Sequence, residues 1–81
     1  SHMKIKLNKI TDINYFSSSC SKYYSEVIMT KQDRQIIDAK SLLGLYSLDL
    51  LRPIDVVIET DDKDVENNFY DFISQWRVEE E

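Results

Sequence analysis

The sequence predicts an α+β domain, a four-stranded antiparallel sheet covered on one face by three helices in the chain order βαββαβα. Three observations carry that reading. Several short segments alternate in the way half-buried strands require, most clearly Ile54, Val56 and Ile58 against Asp55, Val57 and Glu59. Stretches with helical spacing lie between them, above all Val65, Phe69, Phe72, Ile73 and Trp76 on one stripe. The 81 residues show no internal repeat and no linker, so they make one domain whose helices are expected on one side of the sheet.

Ser1-His2-Met3 resembles the remnant of a cleaved expression tag and is set aside, leaving a single domain over 4–78 and an acidic tail over 79–81. Ile5 and Leu7, alternating with Lys4, Lys6 and Asn8, read as the first strand. Thr11 or Asp12 is placed to cap a first helix whose apolar face is Ile13, Phe16, Cys20 and Tyr23. The Ser17-Ser18-Ser19 run within it reads as a solvated face rather than a cluster of phosphoacceptors. Val27 and Met29 mark a second strand, and Ile37 and Ala39 a third. Gln32-Asp33-Arg34 between them holds no glycine, which predicts a loop longer than a two-residue hairpin.

The segment Asp38–Leu50 contains the only glycine of the chain, Gly44, and a dense group of leucines. Ser41 is placed to cap a helix that Pro53 brings to an end. On that helix Leu42, Leu45 and Leu48 share one face while Leu43, Tyr46 and Leu50 share another. A small domain has little depth in which to hide two apolar faces, so one of them is expected to serve a partner. The fourth strand, Ile54–Ile58, follows, and Asp61 or Asp62 caps the last helix.

The formal charge is −5, with the acidic excess in 61–64 and 79–81, which argues against a nucleic-acid footprint. No apolar run is long enough to span a membrane. One cysteine, Cys20, forms no internal disulfide, and a reducing cytoplasm is the expected location. With His2 set aside the chain has no imidazole for general-base, metal or phosphohistidine chemistry. Asp61, Asp62, Asp64 and Glu66 lack the ligand spacing of a calcium loop and suit the positive end of a helix, so no metal and no cofactor is expected.

Ala39-Lys40-Ser41-Leu42-Leu43-Gly44, followed by Ser47-Leu48, resembles the segment around the regulatory serine of the HPr phosphocarrier family of the bacterial sugar phosphotransferase system. Ser21-Lys22-Tyr23 resembles the end of that family's first helix, and the likeness runs on through Ile58 into the last helix. The resemblance implies an open-faced β-sandwich. It implies that Ser41 is a site of regulatory phosphorylation by a dedicated serine kinase, and that Lys40, Leu42, Leu43 and Tyr46 bind partners, a kinase or a transcription regulator among them. The departure lies at Asn8-Lys9-Ile10-Thr11-Asp12-Ile13, where the family carries a Gly-Ile-His-Ala-Arg-Pro type segment. Neither the phosphoacceptor histidine nor the arginine is there, and Asp12 puts negative charge where an incoming phosphate needs positive potential. The expected protein is therefore HPr-like, not an enzyme, without carrier activity, and regulatory or protein-binding. Its rivals are phosphoryl transfer through a non-histidine residue and a purely structural or oligomeric module.

Overall fold

The computed structural model describes residues 1–79. Its elements are β1 (Met3–Ile5), α1 (Ile10–Tyr23), β2 (Ile28–Gln32), β3 (Gln35–Asp38), α2 (Leu42–Leu45), β4 (Ile54–Ile58) and α3 (Lys63–Ile73), and α3 tightens into a 3-10 turn over Ser74–Trp76. The four strands form one antiparallel sheet in the order β1-β4-β2-β3. Class, element order and strand number agree with the sequence pattern.

The register explains why one face is apolar. Side chains alternate along a strand, so Ile5 beside Ile54, Thr30 beside Val56 and Ile28 beside Ile58 all point to the same side. The helices set Phe16, Leu45, Phe69 and Ile73 against that face, each with no more than a trace of exposed surface. Each such side chain contributes roughly 1.5–3 kcal/mol through burial. Asp62 caps α3 by accepting bonds from the amides of Asp64 (2.9 Å) and Val65 (3.4 Å).

Several local expectations are corrected. α1 starts at Ile10 with Lys9 at its N-cap, which makes no side-chain cap bond, so Thr11 and Asp12 lie inside the first turn. Tyr23 is exposed. Tyr24 turns inward instead, packing edge-on against Phe69 and donating its hydroxyl to Asn68. Ser17 and Ser19 are buried, at 4% and 5% exposure, and only Ser18 is solvated. Ser17 lines a cleft with Lys40 and Leu42, and Ser19 one with Asn68 and Phe72.

In β2 the buried residues are Ile28, Thr30 and Gln32, while Val27 is exposed and Met29 half-buried. Polarity misleads here because the polar groups are satisfied indoors. Thr30 Oγ1 donates to the Ile37 carbonyl at 2.8 Å. The Gln32 amide nitrogen donates to the carbonyls of Asp49 (2.8 Å) and Pro53 (3.3 Å), and its oxygen accepts from the Asp49 amide (2.8 Å). Gln32 thus fastens the α2–β4 connection to the sheet.

The β2–β3 connection is a two-residue turn after all, with Gln32 paired to Gln35. Asp33 replaces the missing glycine by adopting φ 54°, a left-handed conformation that Asp tolerates. The Arg52 guanidinium grips both Asp33 carboxylate oxygens (3.0 and 2.9 Å) and holds its carboxyl below the usual range.

Met3 belongs to β1, paired with Val56. Leu7 is buried but lies beyond the strand. Past the 3-10 turn the chain returns to β1, with Arg77 bridged to Ile5, the Lys6 amide donating to the Trp76 carbonyl and the Val78 amide to the Lys4 carbonyl (both 3.0 Å). Of the expected acidic tail, 80 and 81 lie outside the described residues.

Candidate functional site

α2 is the shortest helix, a single turn, and its sequence explains both its start and its stop. The Ser41 backbone is extended, and its hydroxyl accepts a bond from the Gly44 amide at 3.1 Å, as an N-cap does. Ser47 then closes the turn, its hydroxyl (2.6 Å) and its amide (3.0 Å) both donating to the Gly44 carbonyl. The helix does not continue to Leu50, so Leu42 and Leu50 leave the faces that a longer helix would give them.

The apolar residues of this stretch divide sharply. Leu45 and Leu48 are buried and Leu50 half-buried. Leu42 and Tyr46 are exposed at 37% and 44%, and Leu43 at 86%. Residues three and four apart on a helix are surface neighbours, so Leu42, Leu43 and Tyr46 form one apolar surface next to the exposed Ser41 hydroxyl. Leu51, 76% exposed in the following connection, is a further exposed apolar residue not anticipated from the sequence. Its only signal there is its place in the Leu50-Leu51 doublet before Arg52-Pro53.

Gly44 sets how close α2 comes to the sheet. A Cβ at that position would meet Ile37 Cγ2 at 2.8 Å and the Ser41 hydroxyl oxygen at 3.0 Å. Ile37 Cγ2 hangs on a stiff β-branched carbon and cannot swing away freely. Gly44→Ala is therefore expected to lower stability by about 1–2 kcal/mol, the overpacking outweighing the roughly 1 kcal/mol gain in helix propensity. A denaturant midpoint equal to or above wild type would show that this contact is not tight.

Lys40 is half-buried. Its ammonium donates to the Tyr24 carbonyl at 2.7 Å, at the C-terminal end of α1, where a cation is favourable. Lys40 thereby joins α2 to α1, and an open cleft of about 510 Å³ beside it is lined by Asn14, Ser17, Ser18, Ser21 and Leu42.

At the start of α1, where a carrier would hold its nucleophile, stand Lys9, exposed Ile10, Thr11 and half-buried Asp12. Cys20 sits fully inside, and burial pushes its thiol up to about 12, away from nucleophilic use. Among the described residues no helix is long and apolar enough to cross a membrane, and no three His, Cys, Asp or Glu side chains are grouped to hold a metal.

In comparison with known proteins, the chain matches no family model, no curated protein and no solved structure. Fold and site therefore rest on the residues themselves.

Proposed function

We propose that this protein is an HPr-like regulatory module of the cytoplasm, related to the sugar phosphotransferase system but without phosphohistidine chemistry. It binds protein partners through Leu42, Leu43 and Tyr46, with Ser41 as the residue whose phosphorylation governs that binding. The observation that carries this reading is Leu43, 86% exposed on a helix whose cap is an exposed serine hydroxyl. A leucine so placed adds nothing to the core. Phosphorylation would add about −1.5 to −2 charge at the margin of the apolar surface, favouring a partner with arginines and repelling one with further leucines.

The test is a phosphorylation assay with ATP and an HPr-type serine kinase. Wild type is expected to gain an acid-stable phosphate that Ser41→Ala does not gain. Leu43→Glu is expected to melt within a few degrees of wild type, since exposed substitutions alter stability by about 0.5 kcal/mol or less, yet to be phosphorylated far more slowly. Equal labelling of Leu43→Glu would remove the docking role of that surface, and absence of label on wild type would remove the regulatory role of Ser41. In parallel, phosphoenolpyruvate and enzyme I should leave no acid-labile phosphate on His2→Ala protein. Such a phosphate would restore the carrier alternative.

A further inference from the structure

The two edges of the sheet differ. β1 is covered by the returning chain through the Ile5–Arg77 bridge and the bonds to Lys6 and Val78. β3, at the other end of the strand order, has no neighbour on its outer side among the described residues. It carries no lysine, proline or bulge to keep it from pairing, and its protection is limited to its four-residue length and the charge of Asp38.

The bonding pattern shows which backbone groups are free. Gln35 pairs with Gln32, Thr30 Oγ1 donates to the Ile37 carbonyl, and the Ala39 amide donates to the Ile28 carbonyl (2.9 Å), so the odd-numbered residues bond inward. Alternation along an antiparallel ladder then turns the N–H and C=O of Ile36, and the N–H of Asp38, outward. Among the described residues no other backbone group reaches Ile36, whose side chain is 59% exposed.

We propose that β3 pairs antiparallel with β3 of a second copy about a two-fold axis through Ile36, joining two four-stranded sheets edge to edge. This inference is independent of Ser41. Charge and side-chain type select the register. With Ile36 opposite Ile36, each copy places Arg34 alongside Asp38 of the other. Sliding by two residues in one direction sets Ile36 against Asp38 and Arg34 against Lys40, an apolar–charged pair and a like-charge pair. Sliding further sets Asp38 against Asp38. Sliding by two residues the other way sets Ile36 against Arg34, again apolar against charged, so only the first register is complementary throughout. In it the outward N–H and C=O of Ile36 each meet their counterparts on the second copy. Asp38 engages the Lys40 amide through one carboxylate oxygen (2.8 Å), and its other oxygen faces Arg34 of the second copy. These exposed ion pairs add little affinity and serve mainly to set the register. A pairing of four-residue strands is small beside the surfaces of stable dimers, so the association is weak and appears at high concentration.

The test is sedimentation equilibrium over rising concentration, with amide proton–nitrogen spectra of the same samples. Wild type is expected to show a monomer–dimer equilibrium in which the amides of Ile36 and Asp38 shift with concentration. Ile36→Pro removes only an outward N–H, which an edge strand tolerates, and should raise the dissociation constant tenfold or more while the melting temperature holds. Ile36→Lys sets like charges at the axis and Arg34→Asp sets like charges opposite Asp38. Both should weaken the dimer without unfolding the monomer. A wild type that stays monomeric at the highest soluble concentration overturns the proposal. So does a dimer that survives Ile36→Pro, or one that is dissolved by Leu43→Glu instead, which would assign self-association to α2.

Discussion

Phe69→Ala is expected to lower the unfolding free energy by about 3–5 kcal/mol, as truncation of a buried aromatic does. Phe69 is fully buried on α3 and packs edge-on against Tyr24 (centroids 5.2 Å apart) and Tyr70 (5.4 Å). Its removal opens a cavity between α1, α3 and the sheet, and it leaves both tyrosines without their aromatic partner. Small domains hold only about 5–15 kcal/mol in all, so this single change should remove much of the stability. Urea titration gives the measurement. A midpoint close to wild type would mean that α3 does not dock through Phe69.

The second large effect is the response to alkali. Burial, partly offset by the Lys40 ammonium, raises the Cys20 thiol from 9.0 to about 12. Burial also raises the hydroxyls of Tyr24 and Tyr70. Each group is held neutral in the folded chain at a pH where it would ionise in the unfolded one. The unfolded state then binds fewer protons, so stability falls with rising pH. For Cys20 the contribution is intact below pH 9 and lost progressively between 9 and about 12, a loss on the order of 4 kcal/mol. The tyrosines act in the same direction at higher pH. Denaturant midpoints at stepped pH should therefore decline from about pH 9 upward in wild type, and more gently in Cys20→Ala measured against its own neutral-pH value. Equal slopes would show that the thiol is not held neutral by the fold. A thiol reagent at neutral pH should likewise label the unfolded protein and spare the native one.

What was legible in the sequence is the part written in apolar periodicity. The alternation in Ile54–Ile58 and the stripe from Val65 to Trp76 specify β4 and α3 because nothing competes with burial there. The second strand escapes apolar periodicity because Thr30 and Gln32 are buried polar residues, and their bonding partners lie 7 to 21 residues away, beyond the reach of a local pattern. The tight turn carries no glycine signal because its left-handed residue is Asp33, held by Arg52 from 19 residues further on. At the candidate site, Ser41 was legible as a cap, and the residue types said that one face of the leucine-rich stretch had to be surplus. They did not say that the helix stops after one turn, because the Ser47 hydroxyl that ends it is an unremarkable letter in the sequence. The engagement of Lys40 with the Tyr24 carbonyl depends on how α1 and α2 meet.

The strip Trp76–Val78 laid along β1 has a consequence for how this domain can be joined to anything else. It brings residues 76–78 back beside the first strand, so positions 3 and 79 lie at the same margin of the sheet, with β4 and β2 between them and β3. A fusion at either end, or the insertion of the whole unit as a cassette into another protein's loop, would be tethered on the margin away from β3. The nearness of the ends also suits circular permutation. A short linker from 79 to 3 would close the domain, with new ends opened in the exposed acidic connection around Asp61.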